Sequence, residues 1–237
     1  MRTLLQDVRF GLRLLRTSPG FAVVAVLTLA LGIAANTTVF SWIDSVLLHP
    51  FGSGAANERL AALEMIKASA PNGGYQLSYL DYLDYRKRMK SIEGLVVHHE
   101  DVYSLGEGTN VQTVWGELVS GNYFDVMGVK PLLGRTFTRE EDGDRLGAYP
   151  VAVISQRLWR MRFHSDPAVA GKTLRVNRCT LTIVGVAPPE FHGTMPGLAF
   201  DIWMPVTMGA SWGVLAAQGV LDDSAFTHRG DRGLYGL

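Results

Sequence analysis

The sequence predicts an α+β protein: an N-terminal transmembrane helix, then a mixed helix and strand domain outside the cytoplasm. Three observations lead there. The stretch from Phe21 to Phe40, FAVVAVLTLALGIAANTTVF, carries no ionised side chain; at ~1.5 Å of rise per residue, a helix of that length matches a hydrocarbon core of ~30 Å. Beyond it, strand-like alternation and helix-like spacing follow one another without a regular βαβ rhythm. The 237 residues, with zero formal net charge and 47% hydrophobic content, leave enough chain after one membrane helix for one sizeable domain or two small subdomains.

The flanks of the apolar stretch give its orientation. Arg2, Arg9, Arg13 and Arg16 precede it against a single Asp7, and Lys or Arg beside a membrane entry point favours the cytoplasmic side. The N-terminus is therefore expected in the cytoplasm of a single-pass inner-membrane protein, with the main domain on the far side. A cleaved signal peptide is the rival reading, with Ala30-Leu31-Gly32 or Gly32-Ile33-Ala34 as small-residue sites. Against it, Val39, Phe40, Ile43, Val46 and Leu47 carry the apolar pattern onward at helical spacing. A buried helix of a soluble protein is the weakest reading, since no other part of the chain is apolar enough to surround it.

Taken in order, residues 3 to 16 place Leu4, Leu5, Val8, Leu12 and Leu15 opposite most of the arginines, the pattern of an amphipathic helix lying along headgroups. The expected organisation is residues 1–18 as this cytoplasmic helix, 19–48 as membrane helix and stalk ending before His49-Pro50, and 51–237 as the outer domain. In that domain Arg59 to Ile66 reads as a strand and Pro71-Asn72-Gly73-Gly74 as a loop. Ser78 caps a helix reaching about Met89, with Tyr79 and Tyr82 on its core side. Strands follow at Leu95 to His99 and Val111 to Val119, then a turn at Ser120-Gly121-Asn122 into a short apolar helix. Pro131 to Phe137 reads as a connecting loop and Arg139 to Arg145 as an acidic, exposed segment. Val151 to Ile154 is a buried strand, Ser155 caps a helix through Phe163, and Thr173 to Val176 with Cys179 to Val186 form a hairpin turning at Asn177-Arg178. Asp201 to Pro205 is a further strand, and from Thr207 the pattern dissolves into a Gly-rich tail with little organised core.

The chemistry-bearing residues assign no catalytic, cofactor-binding or metal site, and an enzyme is not expected. Gly128-Val129-Lys130-Pro131-Leu132-Leu133-Gly134-Arg135-Thr136 imitates a phosphate-binding loop, but it has an extra residue between the glycines, Arg in place of Lys, and an internal Pro. Any ATP chemistry is thus expected on another chain. His98-His99-Glu100-Asp101 is the metal-like cluster, yet adjacent strand residues point to opposite faces and no third His lies at ligand spacing. His164, His192 and His228 lack a nucleophile signature. The lone Cys179 reads as a small buried hydrophobe. Asn36-Thr37-Thr38 matches a glycosylation sequon but reads as polar residues at the membrane boundary. The balanced charge argues against a nucleic-acid binder, which would show a basic face; Arg86-Lys87-Arg88 is the basic cluster after Arg16, in a helix with acidic neighbours.

Leu31-Gly32-Ile33-Ala34-Ala35-Asn36-Thr37-Thr38-Val39-Phe40-Ser41, with Val46-Leu47-Leu48-His49-Pro50, closely resembles the first membrane helix of ABC transporter permeases of the MacB/FtsX-like class. Ser120-Gly121-Asn122-Tyr123-Phe124 with Gly134-Arg135, Val151-Ala152-Val153-Ile154-Ser155 with Leu158-Trp159, Asp166-Pro167, Gly171-Lys172-Thr173-Leu174 and Ile183 through Phe191 resemble the MacB-like periplasmic core domain. The similarity is strongest to the acidobacterial-type orphan permeases and covers nearly all of residues 1 to 205. It implies a noncatalytic permease subunit without cofactors, whose partners are the lipid bilayer, a cytoplasmic ABC ATPase on a separate chain, and a second copy or related permease. Family permeases continue into three further membrane helices, so the resemblance also implies that the chain is a C-terminally truncated part. The alternative is a single-span, membrane-anchored binding or sensing module without an ATPase; a secreted hydrolase is the third and weakest reading.

Overall fold

The computed structural model describes residues 17–43, 60–61, 63, 65–67, 70–75, 77–108, 111–142, 147–177, 179–195, 197–211 and 234–237. The chain forms two compact units, Met1–Pro50 and Phe51–Leu237. The expected amphipathic helix over 3–16 and the stalk beyond Ile43 lie outside the described residues.

In the first unit, helix α1 (Pro19–Ile43) runs unbroken through the apolar stretch. Proline at its first position loses no helical hydrogen bond. Apolar residues surround it on every side: Phe21, Leu31 and Phe40 are 64%, 74% and 70% exposed, and none of the membrane-length window Pro19–Ser41 is buried in the protein. That removes the buried-core reading of the stretch. Two hydroxyls inside it are satisfied by the helix itself, Thr28 donating to the Val24 carbonyl at 2.8 Å and Thr38 to the Ala34 carbonyl at 2.8 Å. Asn36-Thr37-Thr38 lies within the continuous helix and not at its end.

The second unit is built on strands β1 (Met65–Lys67), β2 (Ala70–Tyr75), β3 (Val97–Leu105), β4 (Gln112–Val119), β5 (Leu133–Gly134), β6 (Val151–Ile154), β7 (Thr173–Val176), β8 (Cys179–Val186), β9 (Ile202–Pro205) and β10 (Tyr235–Gly236), with helices α2 (Tyr79–Arg88), α3 (Tyr123–Val126) and α4 (Gln156–Phe163). β1 and β2 form a separate antiparallel pair. The other eight share one sheet in the order β10-β3-β4-β9-β6-β8-β5, and β7 pairs with both β8 and β3. The hydrogen-bonded circuit β3–β4–β9–β6–β8–β7 therefore closes on itself, through Leu105 opposite Val176. Helical and strand segments thus share one α+β unit.

Alternation of side chains along each strand separates two cores. All six strands of the circuit feed the first, with Tyr103, Leu105, Val114, Leu118, Ala152, Ile154, Leu174, Val176, Leu181, Ile183, Ile202 and Met204, closed by Tyr79 and Tyr82 of α2 and Leu158 of α4. The second lies on the opposite sheet face, where Val119, Val153 and Trp203 meet Tyr123 and Phe124 of α3, Phe137, Phe191, Phe200 and Leu237. Rings there are interlocked: Phe124 sits 5.6 Å from Phe137 and 5.8 Å from Phe191, and Phe191 sits 5.2 Å from Trp203.

The caps fall where the sequence puts them. Ser78 accepts from the Asp81 amide at 3.1 Å and Ser155 from the Leu158 amide at 2.9 Å, satisfying otherwise orphaned helix N–H groups. The β7–β8 hairpin turns at Asn177, whose φ of 51° is one that Asn tolerates; its side chain accepts from the Ser104 amide at 2.9 Å and ties the turn to β3.

Five expectations need correction. Residues 71–74 fall within β2: Gly74 pairs with Ile66 and Ala70 with Lys67, and Pro71, Asn72 and Gly73 lie in the register shift between those pairs. The expected first strand is shifted, with Met65–Lys67 as its described extent. The strand at Leu95 to His99 instead runs Val97–Leu105, because β4 pairs with it as far as Leu105. The connecting loop 131–137 contains β5, paired with β8. From Thr207 onward the described residues are not core-free: Thr207 and Met208 are buried, and residues 234–237 pair with the sheet, with Leu237 and Val96 exchanging both backbone hydrogen bonds at 3.0 and 2.9 Å.

β5 and β8 approach through glycine. Gly134, with φ +69°, faces Gly185, and a Cβ on Gly185 would stand 2.1 Å from the Arg135 carbonyl oxygen. Gly185→Ala must push backbone apart and is expected to cost about 2 kcal/mol, read as a fall of about 4–8 °C in Tm by thermal unfolding of the full chain.

Candidate functional site

The polar centre of the second unit is Glu117. β4 carries it in the run Val114-Trp115-Gly116-Glu117-Leu118-Val119, on the face opposite Leu118, where the aromatic core covers it completely. One carboxylate oxygen accepts from the Tyr123 hydroxyl at 2.9 Å and from Trp203 Nε1 at 2.7 Å. The other accepts from the Thr194 hydroxyl at 2.5 Å and the Thr194 amide at 3.3 Å. Both oxygens are thus satisfied by donors from α3, β9 and the segment between β8 and β9. Gly193, at φ +102°, lets that segment pass: a Cβ there would sit 2.3 Å from the Phe200 ring and 2.9 Å from Glu117. Burial raises the Glu117 pKa, and the donors from Thr194, Tyr123 and Trp203 offset part of that rise.

His98 borders the centre. Its Nδ1 is 3.2 Å from the Thr194 hydroxyl, and 3.7 and 3.8 Å from carboxylate oxygens of Glu100 and Glu117, beyond hydrogen-bond length. Despite these acids, burial, with a smaller push from neighbouring His99, lowers the His98 pKa from 6.5 to about 4. The imidazole is neutral at pH 7. His98 and Glu100 share one face of β3, and His99 and Asp101 lie on the other, so the histidine pair does not converge. Among the described residues no group of His, Cys, Asp and Glu is arranged to hold a metal ion.

Thr194, His98 and Glu117 superficially resemble a hydroxyl nucleophile with its base and acid. At 4%, 8% and 0% exposure respectively, however, they are covered by the surrounding described residues. The arrangement is a buried junction. A second junction is Asp201, which accepts from Arg157 Nε at 3.0 Å and Nη2 at 2.5 Å and from the Ser155 hydroxyl at 2.8 Å, while its amide donates to the Trp115 carbonyl at 2.9 Å. The segment 139–145, expected as exposed acid, corrects at Glu141. That carboxylate is buried and bidentate to Arg135 at 2.8 and 2.7 Å, because Arg135 and the Thr138 amide at 2.8 Å turn it inward. The phosphate-loop imitation spans the turn after α3 and β5, with no following α-helix to present amides to a phosphate.

A cleft of about 260 Å³ opens where α2 ends, lined by Arg86, Met89, Ile92, Glu93, Gly94, Leu95 and Asn122. Asn122 Nδ2 donates to the Leu95 carbonyl at 3.0 Å. Cys179 is half-buried against the first core. His192 is exposed, and His164 takes the left-handed position that ends α4; His228 lies outside the described residues. Sequence reasoning passed over Glu117, although an acid between Gly116 and Leu118 in an otherwise apolar run was the available signal.

A helix long and apolar enough to cross a membrane, ahead of a mixed helix and strand unit, fits a membrane-anchored protein. The family described as MacB-like periplasmic core domain matches residues 22–226. Among solved structures, the periplasmic region of MacB from Actinobacillus actinomycetemcomitans is similar at 15% identity and TM-score 0.48, over 79% of this chain and 85% of that one. The extracellular domain of the noncanonic ABC-type transporter YknZ from Gram-positive bacteria is similar at 16% identity and TM-score 0.49, over 74% and 80%. No curated protein matches the sequence. The chain belongs to the MacB-like periplasmic core domain family.

Two measurements test the buried centre. Glu117→Leu strands the Trp203 and Thr194 donors and is expected to lose at least about 3 kcal/mol in denaturant unfolding, whereas Glu117→Gln, which keeps an acceptor, loses about 1. For His98 the folded pKa is depressed, so its contribution is present above pH 6.5 and lost as pH falls towards about 4. Wild type minus His98→Gln should therefore decline over that window by up to about 3 kcal/mol; a flat difference would place the proton elsewhere. Glu100 and Glu117, both raised, slope the opposite way and remain in both proteins.

Proposed function

We propose that this chain is the noncatalytic permease subunit, or part of it, of an ABC-type export or mechanotransmission system. It couples a separate cytoplasmic ATPase to its own extracytoplasmic domain. The observation that carries the reading is the extent of the family match, which begins inside α1 and runs through the sheet to residue 226, so one family unit takes in both membrane helix and outer domain. The arginines before α1 support an inner-membrane placement with the N-terminus in the cytoplasm.

In this reading residues 1–18 form a cytoplasmic amphipathic helix, 19–48 a membrane helix and stalk, and 51–237 the core domain. No residue of the chain acts as a catalyst, cofactor ligand or metal ligand. The outer domain passes on the motion of the membrane helices, and a second copy or related permease completes the membrane part. Asn36 is central to that motion: its amide lies within the apolar helix, where it requires a hydrogen-bonding partner on another helix.

Co-purification from membranes in mild detergent is the direct test, with an ATPase subunit expected to be retained. Recovery of a folded chain free of any ATPase would favour a single-span binding or sensing module. In a full-length permease carrying this helix, Asn36→Leu is expected to leave ATP hydrolysis in place and reduce export at least about tenfold; unchanged export would remove Asn36 from the coupling.

A further inference from the structure

The outer side of α4 gathers positive charge with no acid interleaved. From Leu146 to Ser165 the sequence carries no Asp or Glu, while α4 supplies Arg157, Arg160 and Arg162. Arg157, Arg160, Met161 and His164 fall at i, i+3, i+4 and i+7, which is one helix face, and all four are exposed, Met161 at 62%. Leu158 points the other way, into the first core. The two acids hydrogen-bonded to α4 and the residues that end it are engaged: Asp201 by Arg157 and Ser155, Asp166 by Lys172 and the Ala168 amide. Arg157 holds Asp201 through Nε and Nη2, which leaves Nη1 outside the pair on a side chain 60% exposed. Asp201 also joins this face to the sheet, since its amide donates to the Trp115 carbonyl at 2.9 Å. Trp115 stands directly opposite Val102 on the neighbouring strand, and both are exposed. A helix C-terminus favours cations in its last turn. That accounts for Arg160 and Arg162, but not for an exposed Trp, Val and Met on the same surface.

We propose that this surface docks an acidic amphipathic helix of a partner protein, its apolar stripe on Trp115, Val102 and Met161 and its flanking carboxylates on Arg157 and Arg160. Isolated surface hydrophobics need no explanation, but adjoining ones rimmed by charge mark interaction sites. Trp and Arg are the side chains that dominate binding energy at protein interfaces, and Arg157 is already oriented by its fork onto Asp201, so docking costs it little freedom. Charge complementarity selects the occupant. An uncharged apolar partner would desolvate the arginines without return. A polyanion would meet the arginines and leave the Trp115 and Val102 pair in water. A helix with an apolar stripe between acids satisfies both halves of the surface. The inference is read from α4 and the sheet alone and does not depend on coupling to an ATPase.

The test measures binding to the full chain in mild detergent by fluorescence anisotropy, with empty micelles as the blank. The probe is a labelled synthetic peptide of glutamates with leucine at alternating third and fourth positions, the spacing of an apolar helix stripe. Two companion peptides carry lysine for glutamate, or serine for leucine. Saturable binding of the glutamate and leucine peptide is expected, and neither companion should bind. Arg160→Gln/Met161→Gln, at two exposed positions, should weaken it about tenfold, the loss of one exposed ion pair and one apolar contact. Val102→Thr, on the sheet side of the surface, should weaken it about threefold. Lys130→Gln, outside the surface, should leave it unchanged, and the thermal unfolding of each variant confirms that it is folded. Equal affinity in wild type and both surface variants overturns the proposal, as does an equal loss with Lys130→Gln or the absence of saturable binding. Equal binding of the serine peptide also overturns it, and would mark a surface for polyanions instead.

Discussion

A carboxylate without any exposed surface fixes how the second unit is assembled. Desolvating Glu117 costs several kcal/mol unless its oxygens are met by well-placed donors, and those donors come from three separate places in the chain, Tyr123, Thr194 and Trp203. The aromatic core can close over β4 only when all three have arrived. Any other register of β4 against β9 would move Trp203 away from Glu117 and leave the charge bare. The acid thereby acts as a specificity element in the sheet's outer face, while the apolar interior of the strand circuit supplies most of the burial.

The first unit solves the opposite problem. α1 offers lipid an apolar surface on all sides, and its backbone polar groups are satisfied within the helix, as a bilayer demands. Thr28 and Thr38 fold their hydroxyls back onto carbonyls one turn earlier, which lets polar residues sit in the stretch without a partner outside it. Asn36 is longer and has no such return contact among the described residues. The difference separates residues that lipid tolerates from one that asks for a neighbour.

Much of this was legible in the sequence wherever the determinant was local. The apolar stretch declares itself by composition, the Ser78 and Ser155 caps by side-chain chemistry at a helix start, and the β7–β8 hairpin by alternation around Asn177. The family resemblance followed from motifs spread in order along the chain. What escaped was decided by partners that the local pattern does not announce, whether near in sequence or far. Residues 70–75, with Pro and two glycines, read as a loop until β1 is placed beside them. Tyr235 and Gly236 carry no strand signature of their own and are ordered by β3. Glu141 looked exposed because nothing local announces that Arg135 folds over it, and Glu117 needed three donors up to 86 positions away.

The closure of the strand circuit through β7 has a consequence for how such a domain keeps company. Open sheets end in rows of unpaired amides and carbonyls that recruit neighbouring chains. Here the two ends of the sheet path are β10 and β5, each two residues long, and β10 is bridged on its far side by Leu63. Proteins confined to a membrane plane meet one another far more often than they would in free solution. Among the described residues, the eight-stranded sheet has almost no open margin and can be crowded there without zipping onto its neighbours.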